Sequence, residues 1–151
     1  MKVLIILILV TAVALADEEP LQAFIKANNL FASAAYKEVL KDSPGNFLVS
    51  PLSAETALAF AQSGCKDETA QEIRSALRLP DDKSKIEDGI RSLLPQLKGG
   101  DNYALHSANK MYIKEDFTVK EEFRKVATEV FQAGSESIDF TKRDQAAETM
   151  N

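Results

Sequence analysis

The sequence predicts a mixed α+β domain behind a secretory leader. Three observations predict it. Apolar residues recur at i, i+3 and i+4 along successive stretches of the 151-residue chain, the spacing of helices that bury one face. Short apolar or alternating runs of strand length stand between them, at 46–50, 103–113 and 135–140. Clusters of Pro, Gly, Ser and Asn punctuate the joints.

The leader is Met1 to Ala16: one positive charge at Lys2, an apolar run, then Ala14-Leu15-Ala16. That order is a secretory signal peptide, with cleavage expected before Asp17. A membrane anchor fits less well, because the apolar run is about 14 residues against the ~20 needed to span. No later stretch is apolar enough to cross a bilayer, so residues 17–151 are expected to form one soluble, extracellular unit. With 18 Lys and Arg against 23 Asp and Glu, the net charge of −5 gives no electrostatic case for nucleic acid or an anionic membrane. Cys65 is the only cysteine, so an internal disulfide is excluded and stability must come from packing. Pairing of Cys65 with another molecule stays open. No Asn-x-Ser/Thr acceptor for a glycan is present.

Each element has its own signal. After acidic Asp17, Glu18 and Glu19, Pro20 can open a helix as its first residue, and Phe24, Ala27, Phe31, Ala34 and Ala35 carry it toward Leu40. "KDSPGN" stops it, and "NFLVS", Asn46 to Ser50, reads as a short buried strand. Ser50-Pro51 then starts a second helix. Proline is tolerated at the first position, and the serine before it can accept from the orphan amides of the first turn. Ala57, Phe60, Ala61 and Gly64 mark the face of that helix, small enough for another element to approach closely.

Three capping boxes predict further helix starts: Thr69 with Glu72, Ser84 with Glu87, and Thr118 with Glu121. Pro80 is expected to end the first of these helices and Gly99-Gly100 the second. "YALHSANKMYI" and "SESIDF" read as strands, and "KRDQAAETMN" as the beginning of a helix.

Little in the chain points to catalysis. Cys65 and His106 are the one conceivable nucleophile and base, and a turn thiol with an unrelated strand histidine is the favoured reading. Lys83, Lys85, Arg91 and Lys98 alternate with Asp81, Asp82, Glu87 and Asp88, which makes a solvated charged face a better reading than a polyanion site. Phe24, Phe31, Phe60, Phe123 and Phe131 have the spacing of core residues rather than of a ligand cavity. No metal or cofactor is expected.

The order of residues is more specific than their periodicity. "NFLVSPLSAETALAFAQSGCKDETAQEIRSALRLP", Asn46 to Pro80, resembles the N-terminal signature of the serpins, the serine protease inhibitor superfamily. That signature is Asn, an apolar strand, Ser-Pro-x-Ser, a small-residue helix, Gly, then Thr and a short helix ending in Leu and Pro. "LHSANKMYIKEDFTVKEEF", Leu105 to Phe123, is similar to the stretch that follows it, and "SIDF" with "AAETMN" to the next. The likeness runs from about Phe24 to Asn151 and has an insect-type style.

The resemblance implies the N-terminal part of the serpin fold: several helices and a few sheet strands of a larger domain. It places Asn46 to Ser50 behind the main sheet, Asn109 in a main-sheet strand, and Ser50, Ser53 and Asn151 in the polar cluster through which that sheet opens. It implies a serine-type protease as partner, trapped when a cleaved reactive loop inserts as an extra strand. A complete serpin is well over twice this length. The reactive loop and the Trp-containing segment lie beyond the helix in which residue 151 falls, so these residues alone are not expected to inhibit. Two other readings stand beside this one: a secreted helical carrier of small molecules, and a hydrolase using Cys65 and His106.

Overall fold

The computed structural model describes residues 19–43 and 45–151. The expected leader at 1–16 lies outside the described residues. Six helices and two two-stranded sheets are seen among those described. Helix α1 spans Pro20–Asp42, α2 Pro51–Gly64, α3 Asp67–Ala76 and α4 Lys83–Gln96. A hairpin follows, in which β1 (Gly99–Gly100) pairs antiparallel with β2 (Tyr103–Ala104). Strand β3 (Asn109–Lys114), helix α5 (Glu121–Glu129) and strand β4 (Ala133–Ile138) form a β-α-β unit with parallel strands, and α6 covers Arg143–Met150.

The helical core begins with α1. Pro20 sits in its first turn, where the missing amide leaves no bond unmade. Ala23, Phe24 and Ala27 face inward, and α4 turns Ile86, Gly89, Ile90 and Leu94 onto them. The two helices approach closely at Gly89: a Cβ there would lie 2.6 Å from the Pro20 carbonyl oxygen and 2.9 Å from the Phe24 Cβ. Phe24, Leu77, Ile90, Val130 and Phe131 form the fully enclosed centre.

Helix α2 is central, as its small residues suggest, with α1, α3 and α5 packed against it. Its buried face is not the expected one. Ala57, Ala61 and Gly64 are exposed and Phe60 half-buried, whereas Glu55, Thr56, Ala59 and Gln62 are enclosed; the expected close approach does occur at Gly64, where a Cβ would lie 2.8 Å from the Phe123 ring of α5. The polar groups turn inward because partners meet them there: Asn28 of α1 donates to the Glu55 carboxylate, and Gln62 donates to the Ala70 carbonyl of α3.

Three other expectations are corrected. Asn46–Ser50 is not a buried strand: it pairs with no strand among the described residues, and Leu48 is fully exposed. An extended segment without a ladder leaves its amides and carbonyls to water. The capping boxes are the second correction. Helix α3 starts at Asp67, with Asp67 and Glu68 placed to favour the positive end of the helix dipole, so Thr69 is already inside it. Asp82, not Ser84, caps α4, its carboxylate accepting from the Ser84 amide and hydroxyl at 2.8 Å each. Helix α5 starts at Glu121 with no side-chain cap. Thirdly, the pair Gly99-Gly100 does not merely end α4 but forms β1, and residues 105–108 are irregular, so the strand expected over 103–113 divides in two.

The parallel pair is held in register from Asn109 opposite Ala133 to Lys114 opposite Ile138. Lys110 reaches Glu136 across it and lies 4.9 Å from the Tyr112 ring centroid. Asp139 closes the turn into α6 by accepting from the Thr141 amide at 3.0 Å and its hydroxyl at 2.6 Å.

Two outcomes follow from this packing. Replacing Gly89 by Ala in an open helix would gain up to about 1 kcal/mol. Here the new methyl meets a backbone carbonyl that cannot rotate away, and overpacking of about 1–3 kcal/mol dominates. Gly89→Ala therefore lowers the urea midpoint with an unchanged m-value, whereas Gly134→Ala, whose Cβ would meet only Lys110 at 3.8 Å, leaves it near the parent value. The second outcome concerns acid. The Ser84 hydroxyl, and then its amide, hold the Asp82 carboxyl below its ordinary range. A carboxyl with a depressed folded pKa contributes stability above its unfolded pKa and loses it as pH falls through the folded one. Asp82→Asn keeps an N-cap side chain, so its acid unfolding curve should be shallower than the parent's.

Candidate functional site: the Ser50–Pro51 turn

The turn entering α2 is built as the sequence requires. Pro51 fixes the first helical φ, and the Ser50 Oγ accepts from the Ser53 amide at 3.4 Å. The two hydroxyls, Ser50 Oγ and Ser53 Oγ, lie 2.8 Å apart. Together they form one wall of a cavity of about 330 Å³. Leu94 and Leu97 from the end of α4 line it, as do His106 and Asn109 from the approach to β3 and Thr56 one turn into α2. Asn109 also donates to the Phe131 carbonyl at 3.1 Å, which ties the start of β3 to the start of β4.

Of the residues expected in one polar cluster, Ser50 and Ser53 are in direct contact. Asn151 is exposed at the end of α6, its amide donating to the Ala147 carbonyl at 3.1 Å, and it does not line this cavity.

Cys65 and His106 line different cavities. The half-buried Cys65 thiol donates to the Ala61 carbonyl at 3.3 Å, a local helix-end contact. Two of the basic residues around α4 are spent on neighbours: Lys83 pairs with Glu87 at 3.7 Å and donates to the Ser63 carbonyl, and Arg91 pairs with Asp88. Of the five phenylalanines with core spacing, Phe24, Phe31, Phe60 and Phe131 belong to the core and Phe123 stacks on it from an open groove. Phe60 stacks on Phe131 with centroids 4.9 Å apart and on Phe123 at 5.3 Å, and Phe24 is fully enclosed. An open apolar groove runs between Gly64, Met111, Ile113, Phe117 and Phe123. Among the described residues no group of His, Cys, Asp and Glu is placed to hold a metal, and no helix is long and apolar enough to cross a membrane.

Sequence reasoning missed one ionisable group close to this turn. Glu55 is wholly inaccessible; its Oε2 accepts from Asn28 Nδ2 at 2.5 Å and its Oε1 has no hydrogen-bond partner among the described residues. Burial pushes its pKa up to about 7, opposed in part by the Asn28 bond. The available signal was Glu55-Ala59-Gln62, an i, i+4, i+7 face that a count of apolar residues passes over.

Comparison with known proteins agrees with this architecture. Residues 26–151 match the family model described as Serpin (serine protease inhibitor), and the chain belongs to that family. It is 31% identical to antitrypsin of Bombyx mori over 100% of its own length and 39% of that protein's. With serine protease inhibitor 42Dd of Drosophila melanogaster it shares 34% identity over 70% of this chain and 29% of that one. The fold superposes on Serpin48, described as a highly specific serpin in the insect Tenebrio molitor. That match has a TM-score of 0.77 and 48% identity, covering 86% of this chain and 35% of that one. The 151 residues therefore span well under half the length of these relatives, and correspond to the N-terminal part of their fold.

Loss of the Ser50 hydroxyl removes an N-cap, an effect of about 0.5–2 kcal/mol in general. The 3.4 Å separation from the Ser53 amide places Ser50→Ala near the low end of that range, measured as a shift in urea midpoint. Ser53→Ala keeps its backbone donor and should shift the midpoint less.

Proposed function

We propose that this chain is the N-terminal part of a secreted inhibitor of serine proteases that acts by trapping its target. The observation that carries the reading is the match to the serpin family over residues 26–151, with named protease inhibitors from insects among the relatives. The Ser50–Ser53 contact supports a role for this turn in the opening of the main sheet: two hydroxyls at a helix start can exchange partners with little loss, since each alternative bond is as good as the last. Asn151 is proposed as a third member of the cluster, brought to it when the strands around the turn are in place. The leader at 1–16 supports secretion. In this reading the protein is not an enzyme and needs no cofactor. The 151 residues supply the hinge and not the bait, so by themselves they do not inhibit.

An antibody raised against residues 17–151 tests this on the protein as the organism secretes it. Mixed with trypsin-, chymotrypsin- and elastase-like proteases, the secreted protein is expected to shift to an SDS-stable complex with at least one of them. The recombinant 151-residue chain is expected to form none. Absence of any complex from the secreted protein, or a covalent complex with the recombinant chain, would count against the reading. Mass spectrometry of the secreted protein should place its N-terminus at Asp17.

A further inference from the structure

We propose that the carboxyl of Glu55, enclosed between α1 and α2 with one oxygen unpaired, is a proton-operated lock on the seating of α2. The geometry leaves it few alternatives. Glu55 is inaccessible to solvent, and Asn28 of α1 is the group that meets its carboxyl. Oε2 has a donor in Asn28; Oε1 has none among the described residues. A neutral acid suits this site better than the ion, because the proton on Oε1 removes the buried charge while Oε2 still accepts from Asn28. An ionised carboxylate there has a single hydrogen bond and no countercharge, the arrangement a low-dielectric interior tolerates least.

No neighbouring charge relieves it. Three helices pack against α2. From α1 the facing polar group is Asn28, while Lys26, Lys37, Glu38, Lys41 and Asp42 are exposed. On α3, Asp67, Glu68 and Glu72 are exposed and Arg74 is turned to Asp81; on α5, Glu121, Glu122, Arg124, Lys125 and Glu129 are exposed. His106, which shares a cavity with Thr56, is exposed as well. Burial and the Asn28 bond are the two causes that act on the Glu55 carboxyl, and burial is the larger.

The sign follows. The folded chain keeps this proton up to about pH 7, whereas the unfolded chain releases it in the ordinary glutamate range. Folding therefore takes up a proton in the interval between, and stability falls as pH rises through it, levelling off above. Ionisation loosens the α1–α2 contact first, since that is where the charge is confined. The inference concerns the seating of α2 and does not depend on the inhibitory reading.

Glu55→Gln is the discriminating variant, because the amide reproduces the neutral acid in shape and still accepts from Asn28. In the chain carrying carbon-13-labelled glutamate, one side-chain carboxyl resonance, absent from Glu55→Gln, should titrate near pH 7, and in Asn28→Ala it should move higher still. The ratio of parent to Glu55→Gln unfolding constants should rise by up to about tenfold per pH unit between about pH 5 and about pH 7. Amide protection in α2, corrected for intrinsic exchange, should fall over the same interval in the parent and not in the variant. A Glu55 resonance titrating in the ordinary glutamate range, a flat ratio, or equal loss of α2 protection in both proteins overturns the proposal.

Discussion

The contact on which the rest of the structure depends is the approach of α4 to the first turn of α1. Gly89 lies against the Pro20 carbonyl and the Phe24 Cβ at distances that admit no side chain. With α4 held there, Ile86, Ile90 and Leu94 close over Phe24, and Leu77 and Leu79 fill the space beyond the end of α3. The position of α4 then decides the geometry of the candidate site, because Leu94 and Leu97 at its end face Ser50 and Ser53 across one cavity. A displacement of α4 would be felt at the Ser50–Pro51 turn before it was felt at the β-strands.

The strands are attached more lightly. Phe131 joins them to the helices through its stack on Phe60 and through the bond its carbonyl accepts from Asn109. Beyond that, β3 and β4 are a parallel pair in which Ile113, Ala133 and Ile138 are the buried residues. Parallel strands are ordinarily covered on both faces. Here Leu48, Val49, Leu58 and Leu105 remain exposed, Leu48 completely. Such surface is what the N-terminal part of a larger sheet-based fold presents where neighbouring strands and helices belong, in keeping with the share of each relative's length that the chain covers.

Helix existence was legible because burial of apolar residues at helical spacing is a strong, local signal; Phe24, Ala27, Ile86, Ile90 and Leu94 are enclosed as their spacing suggests. Helix starts were not. A Ser or Thr followed three residues later by Glu is compatible with a cap, but Asp82 sits two residues ahead of Ser84 with a stronger acceptor, and it takes the Ser84 amide for itself. The turn at Ser50 was legible because a proline follows it and leaves one arrangement. Asn46–Ser50 suits a buried strand but lies unpaired among the described residues, because an apolar run states a preference for burial without naming what will bury it. Contact between Ser50 and Ser53 is local and follows from the helix start, whereas any approach of Asn151 to them depends on tertiary contacts that spacing does not encode.

Helix α2 shows why the polar residues mattered most. Its apolar periodicity pointed to Ala57, Phe60, Ala61 and Gly64; Phe60 does stack on Phe123 and Phe131, but the enclosed residues are Ala59 with the polar Glu55, Thr56 and Gln62. Ser50 and Ser53 stand at its exposed end, where a lost hydrogen bond is replaced by one to water and the long Ser50 cap contributes only about 0.5 kcal/mol. Glu55 stands at its enclosed middle, where water cannot substitute and an unpaired oxygen must carry a proton or destabilise its surroundings. The same helix thus offers hydrogen bonds that exchange cheaply at one end and one that cannot exchange at its centre. A helix built this way can let its entry turn rearrange while its body stays in place, so long as the buried carboxyl remains neutral.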